Sequence, residues 1–230
     1  MTCFFSYGRD AMDYLRGRDR QLGEVIDRLG HLSRPADPCL FESVVRHIIG
    51  QQISIRAEKT VWERLRGSIR PFDAAHLAAA SLAEIQSCGT TFRKAGCILD
   101  FAKQVDSGSF DLGAVAAMTD QEAVAALSSL KGIGVWTAEM ILLFSLQRQD
   151  IFSFSDLAVL RGLRMVYRHR KISRGQFEKY RRRYSPYGSV ASLYLWAVAC
   201  GAIPGLTDPA TRRPPAAAKM GGIPPEAFSP

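Results

Sequence analysis

Apolar positions recur at helical spacing through most of this chain, and the breaks between them fall at Gly, Pro and helix-capping residues. Met12, Leu15, Leu22, Val25, Ile26 and Leu29 share one face of a helix predicted over Asp10–Leu29, which Gly30 ends. Pro35 and Pro38 then mark a connection. A second helix runs from Leu40 to Gly50 on Phe41, Val44, Val45, Ile48 and Ile49. Gln51-Gln52-Ile53 breaks the pattern, and Ser54 caps a helix to about Leu65, with Pro71 closing the region. Ser81 opens a short helix, Gly89 marks a turn, and Lys94 to Val105 is helical again. Thr119-Asp120-Gln121-Glu122 has the form of a capping box for a helix reaching Leu130. After a tight turn at Lys131-Gly132-Ile133-Gly134, another helix spans about Val135 to Leu146. Leu157–Tyr167, Ser173–Tyr184 and the strongly apolar Ser189–Ala202 complete the set. No alternating run of useful length argues for strands, so the pattern predicts an all-α protein of about ten helices. From Pro204 the character changes to repeated Pro, Gly and Ala with Arg212, Arg213 and Lys219. This predicts a folded part over 1–203 and a loosely ordered tail over 204–230.

Composition narrows the class. A chain of 230 residues with 47% hydrophobic content can bury a core as one large domain or two small lobes. The net charge of +8 favours an anionic partner. No segment is long and apolar enough to span a bilayer, which argues against a membrane partner, and the start MTCFFSYGRD lacks the form of a secretory signal. The five cysteines, Cys3, Cys39, Cys88, Cys97 and Cys200, are scattered and form no CxxC pair. They argue against a zinc site and for reduced thiols in the cytoplasm.

The stretch from Leu127 to Gly162 carries the candidate chemistry. Gly132 and Gly134 flank Ile133 directly before a helix, so free N–H groups and the positive end of the dipole leave the turn together, as a phosphate site requires. Thr137 either adds a hydroxyl there or bonds back into its own helix. An ordinary interhelical turn has the same short motif. Asp156 follows an aromatic-rich loop at the mouth of the next helix, where Asp also serves as a plain N-cap. Beyond it, Arg161, Arg164, Arg168, Arg170, Lys171, Arg174, Lys179, Arg181, Arg182 and Arg183 crowd together, opposed only by Glu178. Such a run is either a solvated basic face or a grip on phosphates.

Taken together, Leu130 to Ala138 (LKGIGVWTA), Asp156, Ile48 to Ser54 (IIGQQIS) and Ser185 to Ser189 leading to Leu193–Trp196 resemble the helix–hairpin–helix DNA glycosylase superfamily. Within it they resemble the AlkA-type 3-methyladenine DNA glycosylases. The resemblance runs from about Tyr7 to Ile203. It implies a two-lobed helical fold with the active site in the cleft between the lobes and the hairpin at about 127–146. AlkA-type enzymes often carry a further N-terminal β-rich domain, which this chain begins too late to hold.

The resemblance also assigns roles. It makes Asp156 the catalytic carboxylate. Trp136 stands where bifunctional relatives carry a nucleophilic lysine, which implies hydrolysis without lyase activity. Trp136 either stacks on a flipped base, best on a cationic purine, or packs in the core. Tyr187 stands where the family commonly has Trp, and Gly188 where it commonly has Arg. Phe154 and Phe41 are candidates for the same base pocket, with core packing as the alternative. The loop after I-x-G-Q offers Gln52 or Ile53 as the wedge that fills the gap left by the flipped base. Lys131, Gly132, Gly134, Thr137, Arg161 and Arg164 are expected on DNA. The carbonyls of Ser128, Leu130 and Ile133 match a structural site for a monovalent cation bridging to phosphate. Some branches carry an iron–sulfur cluster on four cysteines after the catalytic acid. Only Cys200 follows Asp156, so no such cluster is expected.

The expected function is therefore that of a monomeric, monofunctional glycosylase acting on double-stranded DNA that contains alkylated purines, associated with the nucleoid. Hypoxanthine or a mismatched pyrimidine is the alternative lesion. A non-catalytic helix–hairpin–helix DNA-binding module is the alternative class, and such a module has no use for an acid at Asp156.

Overall fold

The computed structural model describes residues 3–210, and among them the chain forms thirteen α-helices and one small antiparallel sheet. It divides into two compact units. One is built from residues up to 36 and from 147 onward, the other from residues 37–146.

The first unit opens with β1 (Cys3–Phe4), α1 (Arg9–Arg18), α2 (Arg20–Leu29) and β2 (Pro35–Ala36), with β1 and β2 paired antiparallel so that Cys3 faces Ala36. The single helix expected over Asp10–Leu29 is thus two. Asp19 breaks it with an extended backbone, and its Oδ1 accepts from the Leu22 N–H at 2.9 Å to start α2. Its other oxygen takes a 2.5 Å bond from Arg183 Nη1. A buried carboxylate with two partners outweighs the shared apolar face.

The second unit contains α3 (Leu40–Gly50), α4 (Ile55–Ser68), α5 (Ala74–Ala79), α6 (Leu82–Ser87), α7 (Phe92–Asp106), α8 (Leu112–Ala117), α9 (Asp120–Ser128) and α10 (Val135–Phe144). Its core is built on Val44, Ile48, Leu77, Ile85, Ile98, Phe101, Leu127 and Ile141. The capping boxes at Ser81 and Thr119 are both formed, and Ser54 caps α4. The additional short helices α5 and α8 start on Asp73 and Asp111, whose carboxylates accept the first N–H groups. Each is six residues long, too short to show a period.

The chain then returns to the first unit through α11 (Leu157–Tyr167), α12 (Arg174–Tyr184) and α13 (Gly188–Ala199). Every residue of α13 is buried, which accounts for a helix apolar on all sides. Helix α11 lies directly against it at Gly162, where a Cβ would come within 2.9 Å of the Leu195 carbonyl carbon. Of the stretch expected to be a loose tail, Pro204 to Ala210 is described, and Asp208 within it is buried. Arg212, Arg213 and Lys219 lie outside the described residues.

Candidate active site and nucleic-acid interface

In the second unit the hairpin between α9 and α10 is closed by the Ile133 N–H donating to Leu130 O at 3.1 Å. Leu130 and Ile133 are buried, so Ile133 acts as an apolar plug in the turn. Gly132 stands at φ +86°, and a Cβ on it would sit 3.1 Å from Cys97 Sγ. Gly134 differs: at φ −94° it is an ordinary extended N-cap with open space around it. Helix α10 has no side-chain cap, so the dipole end at Val135 is left for another partner. Trp136, next along, is 44% exposed, which removes core packing as its role. Thr137 is buried and packs inward with the body of α10, so it is not an exposed phosphate ligand. Lys131 remains exposed while pairing with Asp100 at 3.2 Å.

The turn from α3 to α4 meets this hairpin. Gln51 Nε2 donates to Gly132 O at 2.6 Å, and Lys94 Nζ donates to the carbonyls of Ile49 and Gln51 at 2.8 and 2.5 Å. Gln52 and Ile53 are exposed, with Gln52 in the left-handed region at φ 59°. Phe41 does not join them. It is buried, stacked on Phe101 with centroids 5.3 Å apart, and belongs to the core of this unit rather than to a base pocket.

In the first unit the loop leading to Asp156 is fixed by the start of α13. Asp150 accepts from Ser185 Oγ at 2.6 Å and from the Gly188 N–H at 3.1 Å. The Ile151 N–H donates to Ser189 Oγ at 2.9 Å. A Cβ at Gly188 would lie 2.8 Å from Asp150 Oδ1, so this loop leaves no room for the arginine common in the family. Tyr187 is half-buried, edge-on to Tyr14, and donates its hydroxyl to Asp10 Oδ2 at 3.2 Å; that bond to a carboxylate raises its pKa. Phe154 is half-buried between Phe177 and the Arg174 guanidinium, which lies 4.9 Å from its ring centre. Asp156 is 5% exposed, and its Oδ1 accepts from the N–H groups of Ala158 and Val159, both at 2.8 Å. The N-cap role is therefore real, and it also fixes a carboxylate at the mouth of α11. Leu157, beside it, is an apolar side chain 76% exposed.

Arg161 and Arg164 depart from their expected place on DNA. Arg164 grips Asp208 with Nε–Oδ1 and Nη2–Oδ2 bonds of 2.9 and 2.5 Å, and Arg161 Nε lies 3.8 Å from Oδ2. Arg164 holds the Asp208 carboxyl below the usual carboxylate range. Arg183 is likewise engaged with Asp19. Of the basic run after Asp156, Arg168, Arg170, Lys171, Arg174, Lys179, Arg181 and Arg182 are exposed and not directed at Asp19 or Asp208, Arg174 pairing with Glu178 at 2.9 Å.

Residues 45–186, more than half of the chain, match the HhH-GPD superfamily, described as base excision DNA repair proteins. The chain belongs to this superfamily. A member from Schizosaccharomyces pombe named DNA-3-methyladenine glycosylase 1 is 28% identical over 169 residues, covering 68% of this chain and 71% of that one. A DNA-3-methyladenine glycosylase of Bacillus subtilis is 25% identical over 177 residues, and the alignment spans 57% of its length. The crystal structure of a Bacillus halodurans DNA-3-methyladenine glycosidase superposes with a TM-score of 0.76 at 29% identity, covering 86% of this chain and 92% of that one. As an HhH-GPD protein the chain has its hairpin, its Gln51–Gln52 turn and Asp156 inside the matched segment. Sequence reasoning passed over Lys94 and Gln51, whose importance shows only in the carbonyls they reach. It also passed over Asp208, hidden in a Pro-rich segment. Among the described residues no cluster of His, Cys, Asp or Glu could hold a metal ion, and no helix is long and apolar enough to cross a membrane.

Proposed function

We propose that this HhH-GPD protein is a monofunctional DNA glycosylase that flips alkylated purines, 3-methyladenine foremost, out of double-stranded DNA and hydrolyses their N-glycosidic bond. The observation that carries the reading is a buried carboxylate, Asp156, fixed by two backbone N–H groups in a chain whose hairpin presents an exposed Trp136 where a lyase would carry lysine. The names of the relatives supply the lesion class.

Breaking the bond leaves oxocarbenium-like charge on the sugar. A carboxylate fixed beside it stabilises that charge and orients the attacking water. The water oxygen bonds to C1′ while the C1′–N bond breaks. The bonding pair leaves with the base, and the water's proton passes to Asp156 and on to solvent. A base made cationic by alkylation departs neutral, so no second acid is required. Trp136 offers a π face to that cation. Gln52, with Ile53 beside it, fills the gap, and the exposed cations of α12 and of the connection leading into it hold phosphates. By its resemblance to the family, the hairpin would hold a monovalent cation on the backbone carbonyls of Ser128, Leu130 and Ile133. Such an ion would supply positive charge toward a DNA phosphate. The reading needs no iron–sulfur cluster. It takes the protein as a monomer acting in the cytoplasm, where its five free thiols stay reduced.

The test is base release from methylated duplex DNA by wild type and Asp156→Asn, with and without later alkali. We expect release to fall on the order of 10²–10³-fold in the variant and strand breaks to appear only after alkali. Breaks without alkali would overturn the hydrolytic reading. Salt-sensitive binding without release from any lesion would leave a DNA-binding module.

A further inference from the structure

The turn that carries Gln52 is held by two side chains that none of these steps uses. Lys94, in the first turn of α7, donates to Ile49 O at 2.8 Å and Gln51 O at 2.5 Å. These carbonyls lie at and just beyond the end of α3, where helical geometry supplies no partner and a cation is favourable. Burial lowers the pKa of Lys94, as expected of an ammonium group placed there to make bonds rather than to be solvated. The same residue that Lys94 grips by its backbone reaches in the other direction by its side chain, from Gln51 Nε2 to Gly132 O. Gln52 follows immediately in the left-handed region, at φ 59°. A residue with a Cβ sits there at a cost of about 1–2 kcal/mol, and it stays only where its surroundings hold it.

We propose that Lys94 and Gln51 are positioning residues that tie the wedge to the hairpin, so that Gln52 enters the duplex in fixed register with the phosphate bound at the head of α10. This rests on the functional reading above. In such an arrangement, insertion and phosphate capture are one motion of one rigid turn. A wedge matters only where there is a stack to open. Loss of the tether therefore acts on duplex DNA and spares single strands. A purely structural role for Lys94 would lower both alike.

The test compares Lys94→Met, which keeps the length and loses the donor, with Lys94→Arg, which keeps donors, and with Gln51→Glu, which cannot donate to Gly132 O. Single-turnover base release is measured on one methylated strand, alone and in duplex. We expect the duplex to single-strand rate ratio to fall about tenfold in Lys94→Met and Gln51→Glu, with substantial recovery in Lys94→Arg. An unchanged ratio, including equal loss on both substrates with a lower melting temperature, overturns the proposal. A second readout does not depend on chemistry: fluorescence of 2-aminopurine next to an abasic analogue in duplex, which rises as the stack opens. A rise with wild type that is absent with Lys94→Met supports the tether even if no methylated base is released, in which case the lesion assignment alone fails. An equal rise in both, or none with wild type, overturns the tether.

Discussion

At Gly162 the missing side chain lets α11 touch the backbone of α13, the buried centre of its unit. A methyl group there would press on the Leu195 carbonyl carbon at 2.9 Å, and backbone cannot move aside as a flexible side chain can. Gly162→Ala should therefore destabilise the protein by about 1–3 kcal/mol, as overpacking does, measured by urea denaturation. Asp156 allows a cleaner separation. Asn caps a helix about as well as Asp. Asp156→Asn should thus melt within a degree or two of wild type while losing base release, whereas Asp156→Ala should lose about 1 kcal/mol of stability as well. Equal melting of wild type and both Asp156 variants would show that the two N–H bonds to Oδ1 contribute little.

At the scale of elements, α11 is fixed at both ends of its active face. Its N-terminus is held by Asp156 and its last turn by the Arg164–Asp208 fork. The carboxylate of Asp208 is 3% exposed and its pKa is lowered, chiefly by Arg164. A depressed folded pKa stabilises the protein at pH values above the unfolded one, near 3.9, and that stability is lost as pH falls through the folded value. Asp208→Asn should cost about 2 kcal/mol at neutral pH, and the gap to wild type should close on acidification, as followed by chemical denaturation across pH. A gap that stays constant would mean that the fork acts by shape rather than charge. The sequence showed α11 itself to the residue, because its apolar face is regular. It could not show that two of its arginines turn to a distant aspartate, since a charge pattern does not say which counterion it meets.

For the whole molecule, net charge +8 and the exposed Arg168, Arg170, Lys171, Lys179, Arg181 and Arg182 predict DNA binding that weakens steeply with salt. Each phosphate contact contributes about −0.9 to the slope of log K against log salt. Arg181→Glu with Arg182→Glu should flatten that slope by about two contacts' worth. Substituting Arg161 should change stability and leave the slope nearly as it was, because its charge is already directed at Asp208. A slope that fell equally in both would return Arg161 to the DNA-binding face.

The amino-acid order by itself determined the helices with a regular apolar face, their caps and the hairpin glycine. These depend on interactions within a few residues of one another, and α3 and α11 came out with the expected limits. It also singled out Asp156 and Trp136, through motifs that stand in fixed order along the chain. Only the tertiary structure decided the break at Asp19, the burial of Phe41, the capture of Asp208 and the tether from Lys94 through Gln51 to Gly132. Each of these joins groups far apart in sequence, and each was settled by which buried charge, ring or carbonyl found its partner once the chain had closed.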